Sequence, residues 1–423
     1  MIKFLFKGVI RDSHRSRFPI IIVIIGVLLT VLGSCWLKGV MGDMVDFNAR
    51  YYTGHVKVVT RAFAENLDQM PLDLALVDIA SLKQELSGLA PDMQWISRIR
   101  FGGLLDVPDA KGETRAQGPV MGLAVDFSPE SGEVSRLNIA KSLVAGRLPL
   151  NQDEALISHE LAGKMALEPG DVVTLIGSTM YGGLTMTNYR FAGTVRFGIH
   201  AMDRGAVIVR LEDARMALDM DDAATAILGY FGGGRYSETR AQNLSDRFNA
   251  SLAGEKDEFS PQMMPLSRQD GLHEWIEYAG SMSGMLVTLF VLVMSLVLWN
   301  AGLLGGLRRY GEVGVRLAIG EHKGHIYRSM IGESVLIGLM GSLLGTLAGL
   351  AAAWPLERYG IDMGFAMQNT TMMIPTVFRA RITPEAYYIG FFPGLFSTVL
   401  GTSLSGIGIY KRQTAQLFKE LET

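Results

Sequence analysis

Cysteine is almost missing: Cys35 is the only one in 423 residues. That excludes an internal disulfide framework and any zinc site built on several cysteines. Basic charge is not in excess either, since 39 Lys and Arg stand against 42 Asp and Glu. No global cationic surface exists to follow a phosphate backbone, so nucleic acid is excluded as a partner. No stretch has the spacing Gly-x4-Gly-Lys-Ser/Thr, whose backbone amides cradle nucleotide phosphates, and no Gly-x-Ser-x-Gly elbow presents a nucleophile. His159-Glu160-Leu161-Ala162-Gly163 starts like a zincin helix but carries Gly where the second histidine must stand, and His273-Glu274-Trp275-Ile276-Glu277 carries Glu there. His322 and His325 supply only two ligands within a basic segment. The expectation is a chain that is not an enzyme, with no catalytic, cofactor or metal site of its own.

Charge is also absent from four long segments, and this absence is the informative one. Residues 18–37, 279–307, 334–356 and 386–410 contain no Asp, Glu, Lys or Arg. A spanning helix needs about 20 apolar residues, and an ionised side chain at mid-bilayer costs about 2.5 to 3.5 kcal/mol. Four such gaps predict a membrane α-helical protein with four transmembrane helices. Leu32-Gly33-Ser34-Cys35 resembles a lipoprotein cleavage box, but the apolar run is longer than a signal core and continues through Trp36 and Leu37, which favours a plain anchor.

Basic residues in the connections give the orientation, because Lys and Arg are retained on the cytoplasmic side. Segments 1–17, 308–333 and 411–423 together hold 13 of them, against three in the loop 357–385. Both termini and the 308–333 loop are therefore expected in the cytoplasm, and residues 38–278 outside it. That large segment has a net charge of −10, while the cytoplasmic pieces have +7. In segment 1–17, Lys3, Lys7, Arg11 and Arg15 recur every four residues. Such a stretch reads as a cytoplasmic amphipathic helix on anionic lipid headgroups, with a positive tail as the alternative.

Within 38–278 short β-rich runs alternate with helical ones, which predicts an α+β domain. Strands are expected at His55 to Thr60, Gln94 to Phe101, Val120 to Val125, Val172 to Ile176, Tyr189 to Val195 and Ala206 to Leu211. Helices are expected at Leu74 to Leu86, His159 to Ala166, Glu212 to Leu218 and Glu238 to Leu252, and Pro261 to Pro265 marks the return to the membrane.

Three features of the remaining chain point to assembly. Gly341, Gly345 and Gly349 recur every fourth residue of the third span, and such stripes let helix backbones approach closely, within one chain or between subunits. Pro393-Gly394 predicts a kink in the fourth span. The loop Arg308-Arg309-Tyr310-Gly311-Glu312-Val313-Gly314-Val315-Arg316-Leu317-Ala318-Ile319-Gly320 interleaves apolar residues with charges. It suits a helix lying on the membrane face and offering a surface to a soluble partner, with Glu312 and Arg316 four apart on one side. Outside, Met363, Met367, Met372 and Met373 cluster in the loop 357–385. Methionine is flexible and polarisable, so these are candidate contacts for acyl chains as well as for packing.

These residues carry a resemblance. Asn300, Arg308, Arg309, Glu312, Gly314, Arg316, Ala318, Gly320 and Glu333 fall on the pattern of FtsX-like permeases: Asn, then Arg-Arg-x-x-Glu-ϕ-Gly-ϕ-x-x-Ala-ϕ-Gly with ϕ apolar, then a Glu opening the third span. Gly146-Arg147, Glu154-Ala155-Leu156-Ile157, Leu161-Ala162, Leu167 and Gly170-Asp171 are similar to the core domain of MacB-type permeases. Gly360-Ile361-Asp362 and the Trp275 entry look more like the lipoprotein-releasing (LolC/LolE-like) members than the drug exporters, while Lys411 to Thr423 lacks the Asp-Pro found in many family tails.

The resemblance implies an ABC transporter permease in the inner membrane, dimerised with a second copy or a related chain. A separate cytoplasmic ATPase dimer would hold ATP and Mg. Arg308, Arg309, Glu312, Gly314, Arg316, Gly320 and Glu333 would couple that ATPase to the external domain, which would act on lipoprotein or other hydrophobic cargo and meet a periplasmic acceptor. Mechanical control of a cell-wall hydrolase and export of small molecules are the alternatives it leaves. Drug exporters of this kind fuse an ATPase ahead of the first span, whereas 17 residues stand there in this sequence.

Overall fold

Three helices among the described residues are long and apolar enough to cross a membrane: Arg17–Thr53, Gly280–Leu307 and Lys323–Arg358. The computed structural model describes residues 13–109, 111–198, 200–234, 236–254, 257–269, 272–307, 310–363 and 377–411. The chain divides into a helical unit, which ends its first segment at Asp43 and resumes at Tyr278, and an α+β unit built on Met44–Glu277.

In the helical unit the first helix does not stop where charge reappears at Lys38. It runs from Ser13 to Asn48 and continues as a π-helix over Ala49–Thr53. Its polar residues find partners in the segment before the last helix. Lys38 pairs with Glu385 at 2.8 Å, the Asp43 carboxylate accepts the Arg379 N–H at 2.8 Å, and Arg381 N–H donates to the Cys35 carbonyl at 2.9 Å. Leu272–Leu307 and Lys323–Arg358 are each unbroken over 36 residues. The third span thus begins eleven residues before its first charge-free position, inside the basic connector. Over the fourth apolar stretch Pro384–Tyr387 forms a 3-10 turn, Phe392–Ser397 a π-helix and Thr398–Lys411 an α-helix. Pro393 has no N–H to give to the regular ladder, and the wider π register passes over it.

Among the described residues the α+β unit has twelve strands: β1 Val56–Thr60, β2 Leu76–Val77, β3 Met93–Pro108, β4 Thr114–Val125, β5 Leu143–Gly146, β6 Glu154–Ser158, β7 Val172–Ser178, β8 Leu184–Val195, β9 Ala206–Arg210, β10 Ala223–Ala224, β11 Ala226–Phe231 and β12 Pro261–Pro265. Ten of them form one mixed sheet in the order β12-β1-β11-β3-β4-β9-β6-β8-β5, with β7 joining β3 to β8. Because β7 bonds both, the path β3-β4-β9-β6-β8-β7 closes on itself and leaves no open edge along that circuit. The 16-residue β3 belongs to two lobes, pairing β11 through Arg98 and β4 from Ile99 onward. Alternation sorts the apolar residues: Val207 and Val209 of β9 with Ala155 and Ile157 of β6 face one core, and Ile208 and Leu156 face the other.

Two expectations need correction. The helix anticipated over Leu74 to Leu86 begins at Ile79 instead, because Leu76–Val77 pairs with β10 and Asp78 adopts φ 52°. Asp222 then caps the new start by accepting the Ala80 N–H at 3.1 Å. Pro261–Pro265 is not a simple return to the membrane but the edge strand beside β1.

Candidate functional site

The connector between the second and third long helices holds Arg308, Arg309, Glu312, Gly314, Arg316 and Gly320 of the residues that the sequence singled out. Tyr310–Ala318 is a helix whose Val313 and Leu317 pack on Ile326 and Met330 of the third helix. Gly314 is buried on the same side. The helix ends in a Schellman turn: Glu321 N–H donates to Arg316 O at 3.1 Å and Gly320 N–H to Leu317 O at 3.1 Å, with Gly320 at φ 97°. A side chain at Gly320 would meet open space, so its demand for glycine comes from the backbone alone. Val315, Arg316 and Ile319 point away from this packing, and Ile319 is 81% exposed.

Glu312 and Arg316 are thus unlike in environment. Arg316 is exposed. Glu312 is half-buried and lines a cavity of about 650 Å³ among Phe18, Asn300, Ser334 and Thr402. Glu333 is half-buried one position before Ser334. Arg308 and Arg309 lie outside the described residues, as do Met367, Met372 and Met373, while Met363 is half-buried.

The glycine stripe meets the first helix of the same chain. A Cβ added at Gly341, Gly345 or Gly349 would come within 2.5, 2.7 and 2.9 Å of Val23, Val27 and Val31 respectively. Valines at i, i+4 and i+8 therefore fit into the channel left by glycines at the same spacing. Gly390 and Gly394 leave room for Val27 from the last segment.

A second polar construction closes the end of the first helix, within the α+β unit. Arg98 of β3 and Glu133 are buried, with 2% and 0% of their side chains exposed, and pair at 2.8 Å. Arg98 also donates to Glu133 Oε1 at 2.9 Å, to the Tyr51 carbonyl at 2.8 Å and to the Arg50 carbonyl at 2.9 Å. Those carbonyls belong to the π-helix Ala49–Thr53. Arg136 donates to Glu133 at 3.0 Å and stacks over the Tyr230 ring at 4.2 Å, and the Tyr51 hydroxyl donates to Leu137 O at 2.8 Å. Burial alone would raise the Glu133 carboxyl, but the charges and hydrogen bonds of Arg98 and Arg136 hold it below its ordinary value. Helix-end carbonyls without intrahelical partners need donors. Here a buried guanidinium supplies them, so the turn is gripped by charge-assisted hydrogen bonds.

Comparison with known families bears on the C-terminal part of the helical unit. Residues 284–414 match the family model described as FtsX-like permease C-terminal. This part of the chain is an FtsX-like permease domain. The chain is 21% identical over 241 residues to "Lipoprotein-releasing system transmembrane protein LolC" of Xylella fastidiosa (strain 9a5c), covering 55% of this chain and 53% of that protein. It is 22% identical over 348 residues to "Macrolide export ATP-binding/permease protein MacB 1" of Yersinia pestis bv. Antiqua (strain Antiqua), covering 77% and 45%. The chain spans about half the length of the curated relatives it matches. Among solved structures, the periplasmic region of MacB from Actinobacillus actinomycetemcomitans aligns at a TM-score of 0.34 and 14% identity, over 52% of this chain and 92% of that one.

The FtsX-like domain contains the Gly320 turn, Glu333 and the whole glycine stripe, whereas the valines that fill the stripe lie outside it. The MacB-like sequence elements of the α+β unit have structural roles. Arg147 and Asn151 grip the Glu154 carboxylate, which is held down to about 2 chiefly by the Arg147 hydrogen bond. Gly146 and Gly170 adopt φ 80° and 107°. Sequence reasoning missed Arg98, Glu133 and Arg136: Arg98 is a lone charge in a strand, and Glu133 and Arg136, three apart on the short helix Glu133–Arg136, carry no sign of a distant partner.

Proposed function

We propose that this chain is the permease subunit of an ABC transporter and converts ATP-driven motion of a separate cytoplasmic ATPase dimer into movement of a domain on the other side of the membrane. It lies in the inner membrane with both termini cytoplasmic and the α+β unit in the periplasm, and it works beside a second permease copy or a related chain. ATP and Mg belong to the ATPase. The cargo is lipoprotein or another hydrophobic molecule drawn from the membrane, with Met363, Met367, Met372 and Met373 as candidate contacts.

One observation carries the reading: the short helix 310–318 is anchored by Val313 and Leu317, yet leaves Val315, Arg316 and Ile319 uncovered. An exposed apolar edge with a cation in its middle fits a groove on a soluble partner, where a few well-packed residues supply most of the affinity. The gripped π-helix at the far end of the first helix gives the motion a defined point of delivery.

The test is affinity purification of the full chain from membranes, with identification of any co-purifying phosphate-loop ATPase, followed by Ile319→Asp and Arg316→Ala. Loss of the ATPase from both variants, with unchanged melting in detergent, supports coupling through this helix. Equal recovery of ATPase with both variants refutes it. Recovery of a cell-wall hydrolase with the α+β unit, with no cargo movement, would replace transport by regulation.

A further inference from the structure

The α+β unit holds a cavity of about 480 Å³ that none of the preceding roles uses. Its walls are the helix Ile79–Leu89, the first residues of β3, the turn 126–131 and the helix Leu211–Ala217. Three donors on these walls have no protein partner among the described residues: Trp95 Nε1, Ser97 Oγ and Arg215 Nε. Trp95 and Ser97 are only 6% and 4% exposed. A buried donor without an acceptor has given up its water for nothing, and native proteins keep few of them.

Two cations line the same space. Lys83, half-buried, is held below its ordinary value by burial first and by the Arg215 guanidinium second, with Asp126 opposing. Neither Lys83 nor Arg215 forms an ion pair among the described residues. Like charges that share a partly desolvated space repel one another, and an anion between them removes the repulsion.

The carboxylates around the cavity divide in a way that narrows the ligand further. Asp222 is committed to the Ala80 N–H and Glu212 pairs with Arg210 at 2.7 Å. Asp126 and Glu130 remain on the turn side, and Asp126 spends one oxygen on the Ser128 N–H at 2.8 Å. The site thus offers donors and cations on its helix side and the carboxylates of Asp126, which also attracts Lys83, and Glu130 on its turn side.

We propose that this cavity binds a small zwitterion, its oxyanion held by Lys83, Arg215 and the Ser97 hydroxyl and its ammonium by Asp126 and Glu130. The oxyanion can be a phosphate, as in an aminoalkyl phosphate headgroup, or a carboxylate, as in a short peptide. Both place opposite charges a few bonds apart, and the volume admits either.

Binding is measured on the full chain in uncharged detergent micelles by calorimetry, using O-phosphoethanolamine and glycylglycine as zwitterions and inorganic phosphate and ethanolamine as single-charge controls. Saturable binding of one zwitterion, weakened at least about tenfold by Lys83→Gln and by Arg215→Gln, is expected. Asp126→Asn, which keeps the acceptor for Ser128, should weaken the zwitterion and leave inorganic phosphate unchanged. Preference for O-phosphoethanolamine assigns a phosphate headgroup, and preference for glycylglycine assigns a peptide. Lys83 is half-exposed, so its variant tests the site even where Arg215→Gln lowers the melting point. Three results overturn the proposal: neither zwitterion binds at about 10 mM, the Lys83 variant binds as the parent does, or a single-charge control binds as tightly as the zwitterion.

Discussion

Arg98→Met separates gripping of the π-helix from ordinary domain packing. Methionine has similar length and no charge, so it fills much of the same space while removing every polar contact of the guanidinium. Four hydrogen bonds go at once: two to Glu133 and one each to the carbonyls of Arg50 and Tyr51. Glu133 stays fully buried and keeps Arg136 as its remaining charge partner. Removing one member of a buried pair costs about 3 to 5 kcal/mol, a large fraction of the roughly 5 to 15 kcal/mol that holds a typical domain together. The loss should concentrate in the π-helix, where the Tyr51 carbonyl loses the guanidinium and the Arg50 carbonyl keeps only the Tyr230 hydroxyl at 3.2 Å. Pulse proteolysis in urea reads the global cost and amide exchange reads the local one. The control is Arg98→Met with Glu133→Leu, which removes both charges and should recover much of the loss, since apolar replacement of a whole buried pair is often neutral. An Arg98→Met chain that loses less than about 1 kcal/mol, or a double variant less stable than the single one, refutes the reasoning.

Other consequences are as direct. Gly345→Val places a side chain against Val27 Cβ at 2.7 Å and Ile24 O at 2.8 Å. Overpacking of this kind costs about 1 to 3 kcal/mol and should lower the melting point of the detergent-solubilised chain; a parent-like melt would mean that the seam is loose. Gly320→Ala forces an L-residue to φ 97° at a cost of about 1 to 2 kcal/mol. Faster exchange of the Gly320 and Glu321 amides is expected, and unchanged protection would contradict the Schellman assignment. His55 accepts the Phe231 N–H at 2.9 Å and is pushed down to about 4, first by burial and then by Arg136 and Arg50. Between that value and the ordinary 6.5 the unfolded chain binds the proton and the folded one does not. Stability is therefore complete above about pH 6.5 and falls by on the order of 3 kcal/mol as pH drops towards 4. A His55→Gln chain should lose that slope over pH 4 to 6.5 in the urea assay, and retention of the full slope would assign it elsewhere.

Sequence alone determined where the chain is apolar, because a charge inside a span is expensive and its absence over 20 residues is visible without a fold. It also located six of the twelve strands described in the α+β unit (β1, β3, β4, β7, β8 and β9), but not β6, whose five residues are all buried and so show no alternation. Gly320 entered the sequence reading only through the family pattern, and the structure supplied its reason: a helix that ends in the left-handed region needs glycine. Legibility ended where partners are distant. Gly341, Gly345 and Gly349 announced a close helix contact, but only the tertiary structure supplied Val23, Val27 and Val31, more than 300 positions away. The failed helix at Leu74 had the right spacing, and β10, nearly 150 residues later, took Leu76–Val77 from it. Closure of the circuit through β7 and the meeting of Arg98 with Glu133 are likewise decisions of the fold. A lone charge has no period, and what makes it costly or useful is the burial and hydrogen bonding that appear only once the strands around it have paired.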